Sequence, residues 1–242
     1  MSTVVAILLV LVTVGLVAGL AWRVVLWLAA PVPLSIPTMP APLTHGGAAL
    51  RVGREMFLFH SLFRADKALW VASMAFHLGL ALVLLRHLRY VVAVPPAWLV
   101  AIQPAGKLAG WMMLAGLLSL LARRLFIPRV RMLTRAGDNA LLILLLSIGA
   151  SGLVTTYLLH TDILAVKTFL SSIWRAAPEA LPPAPVFLLH LLLAAVLLAI
   201  APFSKLLHAP GLVFSPTRNQ PDGSRRYRRP ARWARKLAGT GP

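Results

Sequence analysis

Four histidines lie inside or at the edge of two strongly apolar segments, and their spacing is the clearest chemical feature of this sequence. His77 and His87 lie ten residues apart in the first segment, and His190 and His208 lie eighteen apart in the second. Ionisable residues at that depth of a membrane are costly and usually serve a function. Two imidazoles on each of two helices make two pairs. Opposed imidazoles in an apolar pocket are the axial ligands of b-type haem, so the pattern favours two haem b groups.

Two alternatives use the same residues. A single membrane histidine often hydrogen-bonds a neighbouring helix, which explains any one of the four but explains two pairs at matching depths poorly. A metal site or a proton relay is the other alternative, although the apolar segments lack the carboxylates that accompany hard metal ions. The remaining histidines, His45, His60 and His160, fall in loops or at a helix end, where solvated or interfacial side chains are expected. His160 lies on the outer side near the second pair and could substitute as a ligand there if that assignment is wrong.

Composition identifies the class of protein. With 59% hydrophobic and 12% charged residues in 242, the chain cannot hide its apolar surface in one soluble core, so we predict an integral membrane protein. It has no cysteine, which iron–sulfur ligation, c-type haem attachment and disulfides all require. Any iron–sulfur cluster must therefore belong to a partner. The net charge of +18 sits beside apolar segments rather than on a soluble domain, so we expect no nucleic acid partner.

Five segments are long enough to cross a bilayer, whose core of about 30 Å needs roughly 20 apolar residues per helix. No cationic stretch precedes the first segment, and its apolar run exceeds that of a signal peptide, so we expect it to be retained. The prediction is an all-α, five-helix membrane domain over residues 1–215, followed by a basic tail over 216–242. The predicted spans lie near residues 4–28, 69–93, 105–126, 139–160 and 184–207.

Lysine and arginine gather in three regions: the loop between spans 1 and 2, the loop between spans 3 and 4, and the tail. With five spans all three regions lie on one side, which the positive-inside rule makes cytoplasmic. The N-terminus is then outside and the tail inside, in a multi-pass protein of the bacterial inner membrane. The basic residues are Arg51, Arg54, Arg64 and Lys67; Arg123, Arg124, Arg129, Arg131 and Arg135; and Arg218, Arg225, Arg226, Arg228, Arg229, Arg232, Arg235 and Lys236.

This topology makes spans 2 and 5 antiparallel, so His77 is expected to pair with His208 on the cytoplasmic side and His87 with His190 on the outer side. Helix geometry supports the pairing only in part. The eighteen residues from His190 to His208 are five full turns and keep these two on one face of span 5. The ten residues from His77 to His87 leave those two about 80° apart around the axis of span 2. The rises, about 27 Å and about 15 Å, also differ. A kink at Pro202 and helix tilt are expected to absorb the difference.

Three segments carry a family resemblance that covers most of the chain: WVASMAFHLGLALVLLRH, ARRLFIPRVR and FLLHLLLAAVLLAIAPFSKLLH. They resemble the gamma subunit of respiratory nitrate reductase, a five-helix dihaem cytochrome b with histidines at these intervals. The fragment FSKLLHAPGLVFSPTRNQ resembles more closely the DsrM subunit of the DsrMKJOP complex, which serves dissimilatory sulfur metabolism. The resemblance implies that His77 with His208 and His87 with His190 are the axial ligands.

The resemblance also implies quinone chemistry beside the outer haem. Lys107 opens span 3 on the outer side, where the family has its quinone-site lysine; a lysine reaching to lipid headgroups is the alternative. Arg86 stands where the nitrate reductase pattern has glycine, and it could reshape the quinone pocket. Arg86 and Arg89 could instead pair with haem propionates, because guanidinium groups bind carboxylates bidentately, or they could be ordinary membrane-boundary arginines.

The predicted function is electron transfer between menaquinone or ubiquinone and a cytoplasmic iron–sulfur partner, in either direction. By the resemblance the partner is the heterodisulfide-reductase-like DsrK, with other membrane and periplasmic subunits of a DsrMKJOP-like complex. The basic loop and tail could dock this partner or contact anionic lipid of the bilayer. Two alternatives are a respiratory nitrate reductase gamma subunit and a haem-free membrane anchor or assembly subunit. A transporter is disfavoured because repeated broken helices and buried carboxylates are absent from the pattern.

Overall fold

The computed structural model describes residues 1–31, 37–215 and 217–222. Among these residues the regular structure is entirely helical, with no strand. Most of the predicted basic tail, residues 223–242, lies outside the described residues, and the division at residue 215 stays a prediction. In chain order the helices are α1 (Ser2–Ala29), α2 (His45–Leu58), α3 (His60–Ala65), α4 (Lys67–His87), α5 (Ala97–Ala101), α6 (Gln103–Phe126), α7 (Pro128–Leu133), α8 (Ala136–Tyr157), α9 (Ile163–Ile173), α10 (Pro185–Ile200) and α11 (His208–Val213).

Within the described residues, five helices are long and apolar enough to cross a membrane: α1, α4, α6, α8 and α10. This confirms the predicted all-α membrane fold with five spans, and the protein is a multi-pass membrane protein. Short turns of 3-10 helix extend α4 to Tyr90 and α10 to Phe203. Helix α9 is apolar but has only 11 residues, too few to span. The side of the membrane on which each terminus lies stays a prediction.

The chain divides into two compact units. The first takes residues 1–23 and 59–207, and the second takes residues 24–58 and 208–242. In the described part of the second unit, the rings of Trp27 and Phe214 lie 5.5 Å apart, and the Thr38 amide donates to the Thr217 carbonyl over 2.8 Å. Four of the five spans and the greater part of α1 belong to the first unit.

Glycines let α4 and α6 approach closely inside the first unit. A Cβ added at Gly79 would lie 2.7 Å from the Met113 amide nitrogen, and one added at Gly116 would lie 2.6 Å from the Phe76 nitrogen. Membrane helices gain little hydrophobic energy from associating, so small residues that permit close backbone packing hold them together. Phe76 and Met113 are buried in the same core, with Leu142 of α8. The three helices therefore form a tightly packed platform.

Asp66 fixes the start of α4 against the end of α6. Its carboxylate accepts a hydrogen bond of 2.9 Å from the Leu69 amide and forms a 2.9 Å ion pair with Arg123. An aspartate at this position satisfies one of the unpaired amides of a helix N-terminus. The hydrogen bond from Leu69, followed by the charge of Arg123, holds the pKa of Asp66 below its ordinary value of 3.8.

Helix α10 ends at Ile200, earlier than the sequence pattern predicts. Pro202 has no amide hydrogen to continue the α-helical bonding, and residues Ala201–Phe203 instead form a 3-10 turn. A second 3-10 turn covers Lys205–Leu207. The relation of five uninterrupted turns between His190 and His208 therefore does not apply to this chain.

Two contacts fasten the segment around this break. The Arg23 side chain of α1 donates from Nε to the Pro202 carbonyl over 3.1 Å. Lys205 pairs with Asp138 at the start of α8, with 2.6 Å between nitrogen and oxygen. An arginine inside a span is expensive unless a polar group receives it, and the carbonyl near the broken helix end is such a group. The segment after Pro202 is thus held by side chains from α1 and α8.

Candidate haem and quinone sites

Helices α4 and α10 place the His87 and His190 rings beside each other. Their ring centres lie 6.3 Å apart, and the ring planes differ by 19°. His87 is exposed and His190 is half-buried within the described chain, so the pair stays open on one side. The structure therefore brings together the two residues that the sequence assigns to the outer pair.

Hydrogen bonds fix the same tautomer in both rings. The Nδ1 atom of His87 lies 2.6 Å from the Val83 carbonyl oxygen, and that of His190 lies 3.1 Å from the Ile148 carbonyl oxygen. A carbonyl only accepts, so Nδ1 carries the proton and the Nε2 lone pair remains for a metal. Histidines that bind metals commonly use their second nitrogen in this way.

The distance between the His87 and His190 rings fits a pair of ligands on one haem iron. A metal–imidazole bond of about 2 Å on each side of an iron places two opposed ring centres roughly 6 Å apart. Space beside the His190 ring is kept by Gly152, since a Cβ there would lie 3.1 Å from the ring carbon Cε1. The described residues hold no group of three or more His, Cys, Asp or Glu side chains suited to a metal ion, and a haem takes only axial ligands from the protein.

His77 has the same tautomer in aromatic surroundings. Its Nδ1 atom lies 2.8 Å from the Ser73 carbonyl oxygen, and its ring meets the Phe59 and Phe76 rings edge-on at 4.9 and 4.7 Å. His208, its predicted partner, is the first residue of α11 and belongs to the second unit. The pairing of His77 with His208 stays a prediction.

Two arginines near His87 carry buried atoms with unmet hydrogen-bonding capacity. The Nε atoms of Arg86 and Arg89 are buried and have no hydrogen-bond partner among the described residues. Arg86 also donates a long bond of 3.4 Å to the Thr156 hydroxyl, and the ion pairs of the described chain involve neither arginine. Both side chains are partly buried, and Arg89 also donates a 2.7 Å hydrogen bond to the Tyr90 hydroxyl and lies over the Tyr90 ring. A partly buried cation without a counterion is unfavourable. These two side chains are therefore suited to an anionic group such as a propionate.

Lys107 is exposed at the start of α6, directly after Gly106. A Cβ at Gly106 would lie 2.8 Å from the Arg86 Cβ, so the glycine makes room for the arginine. Trp111 follows Lys107 by one helical turn, and its ring lies 5.8 Å from the Tyr157 ring of α8. Both rings are partly exposed. A cation beside two aromatic rings can hold a planar headgroup that carries carbonyl oxygens.

Sequence reasoning missed four residues at these sites: Trp111, Tyr157, Gly152 and Ser151, whose hydroxyl lies 3.0 Å from the His190 Nδ1 atom. Trp111 was signalled by its spacing of four from Lys107, which puts both on one helix face. Ser151 and Gly152 are a polar and a small residue within an apolar span, a pattern typical of helix contacts. Tyr157 had no comparable signal, because its partner lies on another helix.

Comparison with known proteins adds two findings. The sequence profile of the family described as "Nitrate reductase gamma subunit" matches residues 45–219, which include all four proposed ligands and Lys107. Two relatives are each described as "Hdr-like menaquinol oxidoreductase cytochrome b-like subunit". That of Archaeoglobus fulgidus is 34% identical over 90% of this chain and 79% of its own length. That of Archaeoglobus profundus is 30% identical over 90% of this chain and 78% of its own length.

Proposed function

The chain belongs to the nitrate reductase gamma-subunit family, and we propose that it is the dihaem cytochrome b subunit of a quinone-linked oxidoreductase complex. It carries electrons between membrane quinone and a protein partner. The adjacent His87 and His190 rings, with both Nε2 atoms available, are the observation on which this proposal depends. The names of the two relatives support menaquinol as the substrate.

His87 and His190 bind the outer haem, and His77 and His208 bind the inner one. Bound haem supplies a one-electron carrier whose potential depends on its ligands and their burial. The chain itself orients each ligand ring: backbone carbonyls hold the Nδ1 protons of His77, His87 and His190. The unpaired guanidinium atoms of Arg86 and Arg89 receive propionates.

The quinone headgroup lies on the outer side, at Lys107 and Arg86. The Lys107 ammonium donates a hydrogen bond to a headgroup oxygen, and the Trp111 and Tyr157 rings flank the ring system. Oxidation of a quinol there releases two electrons into the protein and two protons to the outside. The positive-inside distribution of Lys and Arg supports this orientation, with the N-terminus outside and the tail in the cytoplasm.

The protein partner is a cytoplasmic iron–sulfur subunit of the DsrK-like class, in a complex of dissimilatory sulfur metabolism at the inner (cytoplasmic) membrane. The chain's lack of cysteine supports a separate iron–sulfur subunit. The relatives' description as subunits of an Hdr-like oxidoreductase supports a multi-subunit complex. Electrons move in the direction set by the potentials of the quinone and the partner. A nitrate reductase partner is the alternative that the family match supports.

Replacing each proposed ligand by alanine tests the function. Purified wild-type protein should bind two b-type haems, seen in the reduced-minus-oxidised spectrum. His87→Ala and His190→Ala should each lose the same haem, and His77→Ala and His208→Ala should each lose the other.

His45→Ala is the matched control, since His45 is exposed at the start of α2 and should leave haem content unchanged. Unaltered haem content in all four ligand variants would contradict the proposal. A haem-free wild-type protein would do the same and would favour the membrane-anchor alternative.

A further inference from the structure

We propose that α8, which carries none of the four ligands, is the element that holds the His190 ring in its iron-binding orientation, through Ser151 and Gly152. This inference rests on the proposed function, because it concerns the outer haem. It assigns a positioning role to two residues of the fourth span.

The hydrogen bond of His190 differs from those of the other two rings. His77 and His87 each bond the carbonyl four residues earlier in their own helix, α4. The Nδ1 atom of His190 instead bonds two oxygen atoms of α8: the Ile148 carbonyl at 3.1 Å and the Ser151 hydroxyl at 3.0 Å. The orientation of this ring is therefore set by a neighbouring helix.

The direction of the Ser151 hydrogen bond follows from its second contact. Its hydroxyl donates to the Ile148 carbonyl over 3.1 Å, so its oxygen is left to accept from His190. Ser151 is buried, with 7% of its surface exposed, so water cannot replace it readily. Both oxygens on α8 thus favour the His190 tautomer with the proton on Nδ1.

Gly152 leaves space for the His190 ring next to these hydrogen bonds. A Cβ at this position would lie 3.1 Å from the His190 Cε1 and 3.5 Å from Nδ1. Since 3.1 Å is tighter than ordinary van der Waals contact, an alanine would push the ring away from its place. The serine and the glycine are consecutive, so one turn of α8 both bonds the ring and makes room for it.

The arrangement affects the electronic character of the ligand. Acceptors on the Nδ1 proton make the imidazole a stronger base toward the metal, and a stronger base stabilises ferric over ferrous iron. Removing the Ser151 hydroxyl should therefore raise the potential of the outer haem. The inner haem should be unaffected, because its proposed ligand His77 packs against Phe59 and Phe76, whereas the ring beside Gly152 is that of His190.

The test is a redox titration of purified, haem-loaded Ser151→Ala and Gly152→Ala proteins, with low-temperature electron paramagnetic resonance of the ferric haems. In Ser151→Ala, the midpoint potential of one haem should rise, and the affinity of the protein for that haem should fall about 10- to 100-fold. That haem should be the one lost in His190→Ala. Gly152→Ala should alter the ferric signal of the same haem, because the imidazole ring is displaced.

Two control substitutions match these changes in chemistry. Ser119→Ala removes a hydroxyl that bonds only its own helix, at the Ala115 carbonyl. Gly149→Ala adds a methyl group to α8 against the flexible end of Met113. Both should retain wild-type potentials and signals.

Wild-type behaviour in both test variants, or an equal shift of both haems, would overturn the role of α8 while leaving the proposed function intact. If the Ser151→Ala protein does not accumulate, the ferric signal of Gly152→Ala alone decides whether α8 positions the His190 ring. A haem-free wild-type protein would overturn the proposed function and this inference together.

Discussion

Lys107 is exposed at the start of α6, whereas the Arg86 side chain is partly buried and packs against the neighbouring Gly106. Gly106 permits this arrangement, since any side chain there would collide with Arg86. Under the proposed function both residues reach the quinone headgroup, and Arg86 is in addition available to a haem propionate.

Lys107→Ala should slow the reduction of the haems by a quinol analogue and leave haem content unchanged. Loss of one hydrogen bond from a charged group costs about 1.5–3 kcal/mol, which corresponds to a rate lower by roughly tenfold or more. Stopped-flow absorbance of the b-type bands measures the rate.

Lys67→Ala is the control. Lys67 is a second exposed lysine, but it lies at the start of α4, away from the start of α6 where Lys107 lies. The quinol analogue should reduce the haems of this variant at the wild-type rate. Wild-type kinetics in Lys107→Ala would remove that lysine from the quinone site.

At the level of residues, sequence predicts what depends on spacing along one helix. The ten-residue interval of His77 and His87 is readable because both lie on α4. The hydrogen bond between Ser151 and His190 joins residues 39 apart in different helices, and no periodicity encodes it. The side chains that refine a site therefore come from packing, which the spacing of residues does not specify.

The elements that carry the site depend on the contact of α4 with α6. Gly116→Val should force the two helices apart, because its Cβ would lie 2.6 Å from the Phe76 nitrogen and 2.8 Å from the Ala72 oxygen. Backbone cannot yield as a flexible side chain does, so we expect destabilisation of about 1–3 kcal/mol or more. Thermal unfolding in detergent, followed by circular dichroism, measures it.

Gly137→Val is the matched control on α8, where an added Cβ meets nothing within 4 Å. It should unfold close to the wild-type temperature. An unchanged unfolding temperature for Gly116→Val would mean that the two helices can repack without their close approach.

At the level of elements, hydropathy predicts the number of spans and misplaces an end where a local interaction decides it. The five spans follow from apolar length alone. Residues up to 207 remain apolar enough to extend α10, but the missing amide of Pro202 ends the helix at Ile200. The contacts of Arg23 and Lys205 then hold the segment beyond the helix end, and composition does not reveal such contacts.

At the scale of the whole molecule, the absence of cysteine permits a clean test of orientation. Val94 is 83% exposed and lies beyond α4, in the loop predicted to be outside. Gly137 is exposed at the start of α8, in the region predicted to be cytoplasmic. In intact cells, a membrane-impermeant maleimide should label Val94→Cys and should label Gly137→Cys only after permeabilisation.

The unsubstituted chain is the control, since it offers no thiol to the reagent. Labelling of Gly137→Cys in intact cells, with Val94→Cys protected, would invert the topology and move the quinone site to the cytoplasmic side. Charge asymmetry predicts orientation because cationic loops resist translocation, whereas helical packing is the same for either direction.

The interruption at Pro202 divides the fifth span into a regular helix that carries His190 and a following segment of 3-10 turns. The segment from Pro202 to Lys205 is held in place by contacts with Arg23 and Asp138. Substitutions around the regular part of α10 and substitutions at these two anchors should therefore affect different parts of the fifth span.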